Sequence, residues 1–127
     1  MPKQIISTPH APSPAGAFSQ GVLVNGTLYT CGMSGRDPVT RELAGDDVVS
    51  QTRQVFKNLE AILAAAGMDL TDVVKVTAHL QHADRDRKAF GEVYRELMPE
   101  PLPVRTTVGS DLAGFLVEID VVAVKSD

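Results

Sequence analysis

The stretch Asp46–Gln81, DDVVSQTRQVFKNLEAILAAAGMDLTDVVKVTAHLQ, changes its hydrophobic period once, and that change decides the fold class. From Val48 the apolar positions are Val48, Thr52, Val55, Phe56, Leu59, Ile62, Leu63 and Ala66, the i, i+3/i+4, i+7 spacing of one helical face. Asp46-Asp47 supplies an acidic start, and Gly67 supplies the residue after the last turn that can turn left-handed. Gln51, Arg53, Gln54, Lys57, Asn58 and Glu60 fill the rest of the circumference, so that side is predicted to meet water. Beyond Gly67 the period drops to two. Val74, Val76, Ala78 and Leu80 alternate with Lys75, Thr77, His79 and Gln81, which predicts a half-buried strand over Val73–Gln81.

Upstream, Gly21–Val24 and Thr27–Cys31 are short β-prone runs separated by Asn25-Gly26, the dipeptide that best tolerates positive φ at both centres of a type I′ turn. A hairpin is predicted there. Pro9–Ala17 is irregular because its prolines fix φ and donate nothing, and Gly32–Gly45 reads as a loop. Downstream, Ala89, Phe90, Val93, Tyr94 and Leu97 define a second helix, capped at Asp84 or Asp86 and stopped by Pro99 and Pro101. Val104–Ser110 and Phe115–Val124 complete the chain as strands. The order β-β-α-β-α-β-β makes residues 1–127 a single α+β domain, a mixed sheet with both helices on one face. The last strand is mostly apolar on both faces, as when helices cover one and a neighbouring subunit the other.

Lys+Arg 12 against Asp+Glu 16 gives a net charge of −4, and without a long basic run this argues against nucleic acid as a partner. A single cysteine, Cys31, excludes an internal disulfide, and Met1–Thr8 lacks the layout of a secretory leader, so a cytoplasmic location is expected. No apolar run approaches the roughly 20 residues of a membrane span. Glycine-rich nucleotide loops, G-x-S-x-G and C-x-x-C are all missing from the sequence. His79, His82 and Asp84 lack the context of a metal site.

Cys31 is a candidate nucleophile if a cation lowers its pKa, or a small buried hydrophobe. Arg105 sits inside a strand, where a guanidinium needs a carboxylate, either a ligand's or that of Glu118. Glu118 interrupts an apolar strand face and is either paired, hydrogen-bonded or catalytic. Both readings of this pair stay open on spacing alone.

The motifs Gly16-Ala17-Phe18-Ser19-Gln20, Thr30-Cys31-Gly32, Asp72-Val73-Val74-Lys75, Pro103-Val104-Arg105-Thr106-Thr107-Val108 and Val117-Glu118-Ile119 together resemble the RidA/YjgF family of enamine/imine deaminases over nearly the whole chain. The resemblance implies a chorismate-mutase-like fold and a homotrimer with sites between subunits. It implies hydrolysis of 2-imino acids, formed from 2-enamino acids such as 2-aminoacrylate, to 2-oxo acids and ammonia, with no cofactor and no metal. It further implies that Arg105 clamps the substrate carboxylate and Glu118 holds the attacking water, with Phe18, Cys31, Gly32, Gly91 and Thr107 around the substrate. Phe18, Cys31-Gly32-Met33 and Gly91 replace polar groups usual in the family, which leads to an expectation of substrates with larger or more apolar side chains. Two other readings stand beside it. One is a non-catalytic regulator or chaperone-like module that binds small carboxylates; the other, RNA cleavage, is opposed by the net charge of −4 and the absence of Trp.

Overall fold

The computed structural model describes residues 2–125. Its strands are β1 (Gln4–Ile6), β2 (Gly21–Val24), β3 (Thr27–Thr30), β4 (Met33–Ser34), β5 (Val73–Leu80), β6 (Val104–Gly109) and β7 (Val117–Val124), and its helices are α1 (Val48–Ala65) and α2 (Ala83–Leu97). The sheet runs β1-β2-β3-β7-β5-β6, with β4 also pairing to β7; β5–β6 is its parallel pair, bridged by α2. Both helices pack on one face of this mixed sheet, as the sequence predicts.

The local signals explain most boundaries. Asn25 (φ 51°) and Gly26 (φ 77°) both adopt positive φ, the type I′ requirement, and β2 pairs antiparallel with β3 around them. Asp47 caps α1 by accepting from the Ser50 amide at 2.7 Å. Gly67 (φ 74°) closes its other end: its amide donates to the Ala64 carbonyl, and that of Met68 donates to Leu63. Val55, Phe56, Leu59, Ile62 and Leu63 of α1 are buried against Val76, Ala78 and Leu80 of β5 and Val117, Ile119, Val121 and Ala123 of β7.

Several expectations give way. Gln51 and Asn58 do not meet water: Gln51 is 2% exposed and Asn58 0%. Their amides are consumed by chain segments that no periodicity marks. Gln51 donates to the Gly45 carbonyl and accepts from the Leu116 amide, while Asn58 donates to the carbonyls of Ser34 and Arg36. The second helix begins at Ala83 with His82 at its cap position and no side-chain cap, so Asp84 and Asp86 lie in its first turn, where the helix dipole favours them. The final strand begins at Val117 rather than Phe115, and a bulge between Val73 and Lys75 leaves Val74 exposed. Strand β4 falls in the segment that reads as a loop in the sequence, and β1 in one given no secondary-structure reading.

Among the described residues the opposite face of the sheet carries no helix. Ile5, Tyr29, Val104, Val108 and Val124 are exposed on it, alongside Lys75, His79, Glu118 and Asp120. No helix among the described residues is long and apolar enough to cross a membrane.

Candidate active site

Strand register places the site residues in two groups. Arg105 pairs with Val76, and Val76 with Val121; both valines are buried under the helices, so Arg105 points to the helical face. Glu118 lies three residues before Val121 and pairs with His79, so it points to the open face. Two strand spacings, about 10 Å, and the thickness of the sheet separate them. Of the two readings left open on spacing, the structural ion pair between Arg105 and Glu118 does not form within one chain, because the two side chains face opposite ways.

The Arg105 group lies where α2 crosses the edge strand β6. The guanidinium sits 4.5 Å from the Tyr94 ring centroid and 5.7 Å from that of Phe90, and among the described residues no carboxylate pairs with it. The aromatic faces hold the cation without occupying its hydrogen-bond donors. Tyr94 is itself held by Phe56 edge-on at 5.9 Å. A groove of about 560 Å³ opens here, walled by Tyr94, Leu102, Pro103 and Gly91. A β-carbon built on Gly91 meets nothing within 4 Å, so this glycine answers no packing demand within the chain and leaves space. Thr107, two residues from Arg105 on the same face, has a buried hydroxyl with no partner, as does Tyr94, whose pKa burial raises against the opposing charge of Arg105.

The Glu118 group gathers residues near the end of β3. The Cys31 amide donates to the Gln20 carbonyl at 2.8 Å, which brings the Phe18–Gln20 segment beside Cys31-Gly32. Gln20, 2% exposed, anchors that segment by donating to the carbonyls of Thr8, Ala11 and Pro12 and accepting from the Thr8 amide. Phe18 remains 52% exposed. The Glu118 carboxyl lies directly against Gly32: a β-carbon there would stand 2.7 Å from Glu118 Cδ and 2.8 Å from Oε1. Only glycine leaves that carboxylate where it is. Burial pushes the Cys31 thiol up to about 11; the backbone amide opposes this, and the charges of Glu118 and Asp120 add to it. Cys31 is thus a protonated half-buried thiol and not an activated nucleophile.

His79, beside Glu118, shares a hydrogen bond of 2.6 Å between its Nδ1 and Ser110 Oγ, and among the described residues no three metal-ligating side chains come together. What sequence reasoning missed are Gln20, Gln51 and Asn58, the buried amides that hold the Glu118 half in place. Their polar character gave no sign of burial, since the backbone groups they satisfy are distant in sequence.

Comparison with known proteins joins these observations. A family model described as endoribonuclease L-PSP matches residues 8–125. The 2-iminobutanoate/2-iminopropanoate deaminase of Rattus norvegicus is 38% identical over 125 residues, covering 97% of this chain and 90% of that protein. Among solved structures, RidA from a Psychrobacter species is 37% identical with a TM-score of 0.91, covering 96% of this chain and 99% of that one. E. coli TdcF with bound serine is 31% identical with a TM-score of 0.90, covering 97% and 99%. On a match that spans both halves of the site and the fold from β2 to β7, the chain belongs to the endoribonuclease L-PSP family, the RidA/YjgF family.

Proposed function

We propose that this protein hydrolyses 2-imino acids to 2-oxo acids and ammonia, at sites completed between subunits of a homotrimer. The observation that carries the reading is the state of Arg105: a guanidinium backed by Tyr94 at 4.5 Å, without a carboxylate of its own, at the mouth of a groove. A planar fork so held suits a ligand carboxylate, worth about 1.5–3 kcal/mol as a charge-assisted bond. The relatives named as deaminases, and the one solved with bound serine, support a small amino-acid-like ligand.

The chemistry then needs a group that holds water against the C=N carbon. Glu118 suits that role, because its carboxylate accepts a proton as the water oxygen bonds to carbon and the nitrogen is protonated. Collapse of the tetrahedral adduct forms C=O and expels ammonia. Imine nitrogen is basic enough that no cofactor is required.

Geometry supplies the argument for shared sites. In a 2-imino acid the carboxylate carbon and the imine carbon are bonded neighbours, while Arg105 and Glu118 of one chain lie two strands apart, three residues out of level and on opposite faces of the sheet. Arg105 of one copy must therefore meet Glu118 of another. The exposed apolar residues of the open face, Tyr29, Val104 and Val124 among them, favour burial in such an assembly.

The test places the purified protein beside a pyridoxal-phosphate dehydratase acting on serine or threonine and follows oxo acid. Acceleration is expected. Tight binding of 2-oxobutyrate with no acceleration would leave the non-catalytic binding module instead.

A further inference from the structure

The groove at Arg105 holds more positive charge than one carboxylate needs. Arg87, Lys88 and Arg95 line it together with Arg105, against the single acidic side chain of Glu92, in a protein whose net charge is −4. Arg87, Gly91 and Arg95 follow one another at four-residue intervals, so the two arginines flank the gap left by the glycine on one face of α2. Among the described residues none of these three cations enters an ion pair; the paired arginines are Arg53 and Arg85. The acidic residues of the α2 first turn, Asp84 and Asp86, do not line the groove, and Arg85 engages Asp86.

Resting on the imine-hydrolysis reading, we infer that the groove selects 2-imino acids whose side chain ends in a second anionic group. With the α-carboxylate on Arg105, a side chain running over Gly91 finds no β-carbon there, in a place where one would have no neighbouring atom within 4 Å, and passes the carbon walls of Tyr94, Leu102 and Pro103. Its far end arrives between Arg87 and Arg95. An apolar terminus there would leave cations without a partner and strip part of their water, whereas a carboxylate or phosphate gains from both. This refines the expectation of larger or more apolar side chains: the space is present, but its far end is cationic.

The experiment generates imines in situ with amino-acid oxidases from glutamate, aspartate and leucine and measures kcat/KM for oxo-acid release. In parallel, calorimetry measures binding of 2-oxoglutarate, a phosphorylated 2-oxo acid and 2-oxobutyrate. The glutamate-derived imine is expected to exceed the leucine-derived one by about tenfold, with the margin shrinking as salt rises. The paired change Arg87→Ala and Arg95→Ala should collapse that ratio. The two oxo-acid arms tell a distal carboxylate from a distal phosphate by which binds more tightly, and either result supports the inference. Equal or faster turnover of the leucine-derived imine, with a ratio indifferent to the paired change, overturns the inference and leaves the deaminase reading standing. Absence of turnover with every imine overturns the deaminase reading, and the calorimetric preference then decides the groove's ligand by itself. Displacement of 2-oxoglutarate by a short RNA at low concentration would reassign the groove to a polyanion.

Discussion

The two halves of the candidate site are built in different ways. The Glu118 half is locked: Asn58 and Gln51 tie Ser34, Arg36 and Leu116 to α1, Gln20 ties down the proline-rich segment, and the carboxyl lies against Gly32 with no room for a β-carbon. The Arg105 half is loose: an exposed side chain on an edge strand, supported by two aromatic rings and bordered by open space. The contrast fits the roles proposed. A water must be held within a few tenths of an ångström of its attack line, so its holder sits on rigid backbone. A carboxylate clamp gains from reach, and a guanidinium stacked on tyrosine keeps its fork while its stem adapts.

Changes to the locked half should produce the largest effects on chemistry. Glu118→Gln is expected to lower kcat by about 10²–10⁴-fold, because an amide can hold water but cannot accept its proton. Binding of 2-oxobutyrate by calorimetry should persist, since the clamp is untouched. Gly32→Ala should imitate it, as its β-carbon would displace the carboxyl from 2.7 Å. Near-normal turnover in both variants would reduce Glu118 to a structural residue.

In the loose half, Arg105→Ala is expected to weaken 2-oxobutyrate and cut kcat/KM by roughly 10–150-fold, the worth of a charged hydrogen bond. The thermal midpoint should hardly move, because the side chain is exposed and lacks an ion pair. Arg105→Lys should rescue little, a point charge being unable to form two parallel bonds. Unfolding of Arg105→Ala with unchanged activity per folded molecule would make the guanidinium a structural element.

Mixing the halves tests their separation. If each site takes Arg105 from one subunit and Glu118 from another, co-refolded Arg105→Ala and Glu118→Gln chains should regain about a quarter of wild-type turnover by random assembly. A site within one chain predicts no recovery at all.

The same contrast decides what was legible in the sequence. The α1 face, the Asn25-Gly26 turn and the β5 alternation from Val76 onward are local patterns, and the structure contains them. The motifs holding Arg105 and Glu118 were legible too, but their facing was not. It depends on register across β6, β5 and β7, and a pairing register is invisible until strands that are distant in sequence meet. The buried amides Gln51 and Asn58 escaped for the same reason: their partners Leu116 and Ser34 lie 65 and 24 residues away. Strands β1 and β4 are three and two residues long, too short to show any period.

Cys31 reports on the Glu118 half through its own reactivity. Burial first, then the charges of Glu118 and Asp120, push its thiol from 9.0 up to about 11, while the backbone amide works the other way. Because the folded pKa is the higher one, the neutral thiol favours the folded state. That contribution is complete below pH 9 and is lost as pH rises to about 11. At pH 8, alkylation by iodoacetamide should run about a hundredfold slower than in the unfolded chain, the ratio of thiolate fractions for that shift. Glu118→Gln removes one of the two charges that raise the thiol, so its alkylation should quicken. Within its own chain Arg105 lies on the far side of the sheet, so Arg105→Ala should slow the alkylation only where another copy's Arg105 stands beside Glu118, by removing a cation that favours the thiolate. An Arg105→Ala rate equal to that of the unchanged protein in the assembled state would count against sites shared between copies.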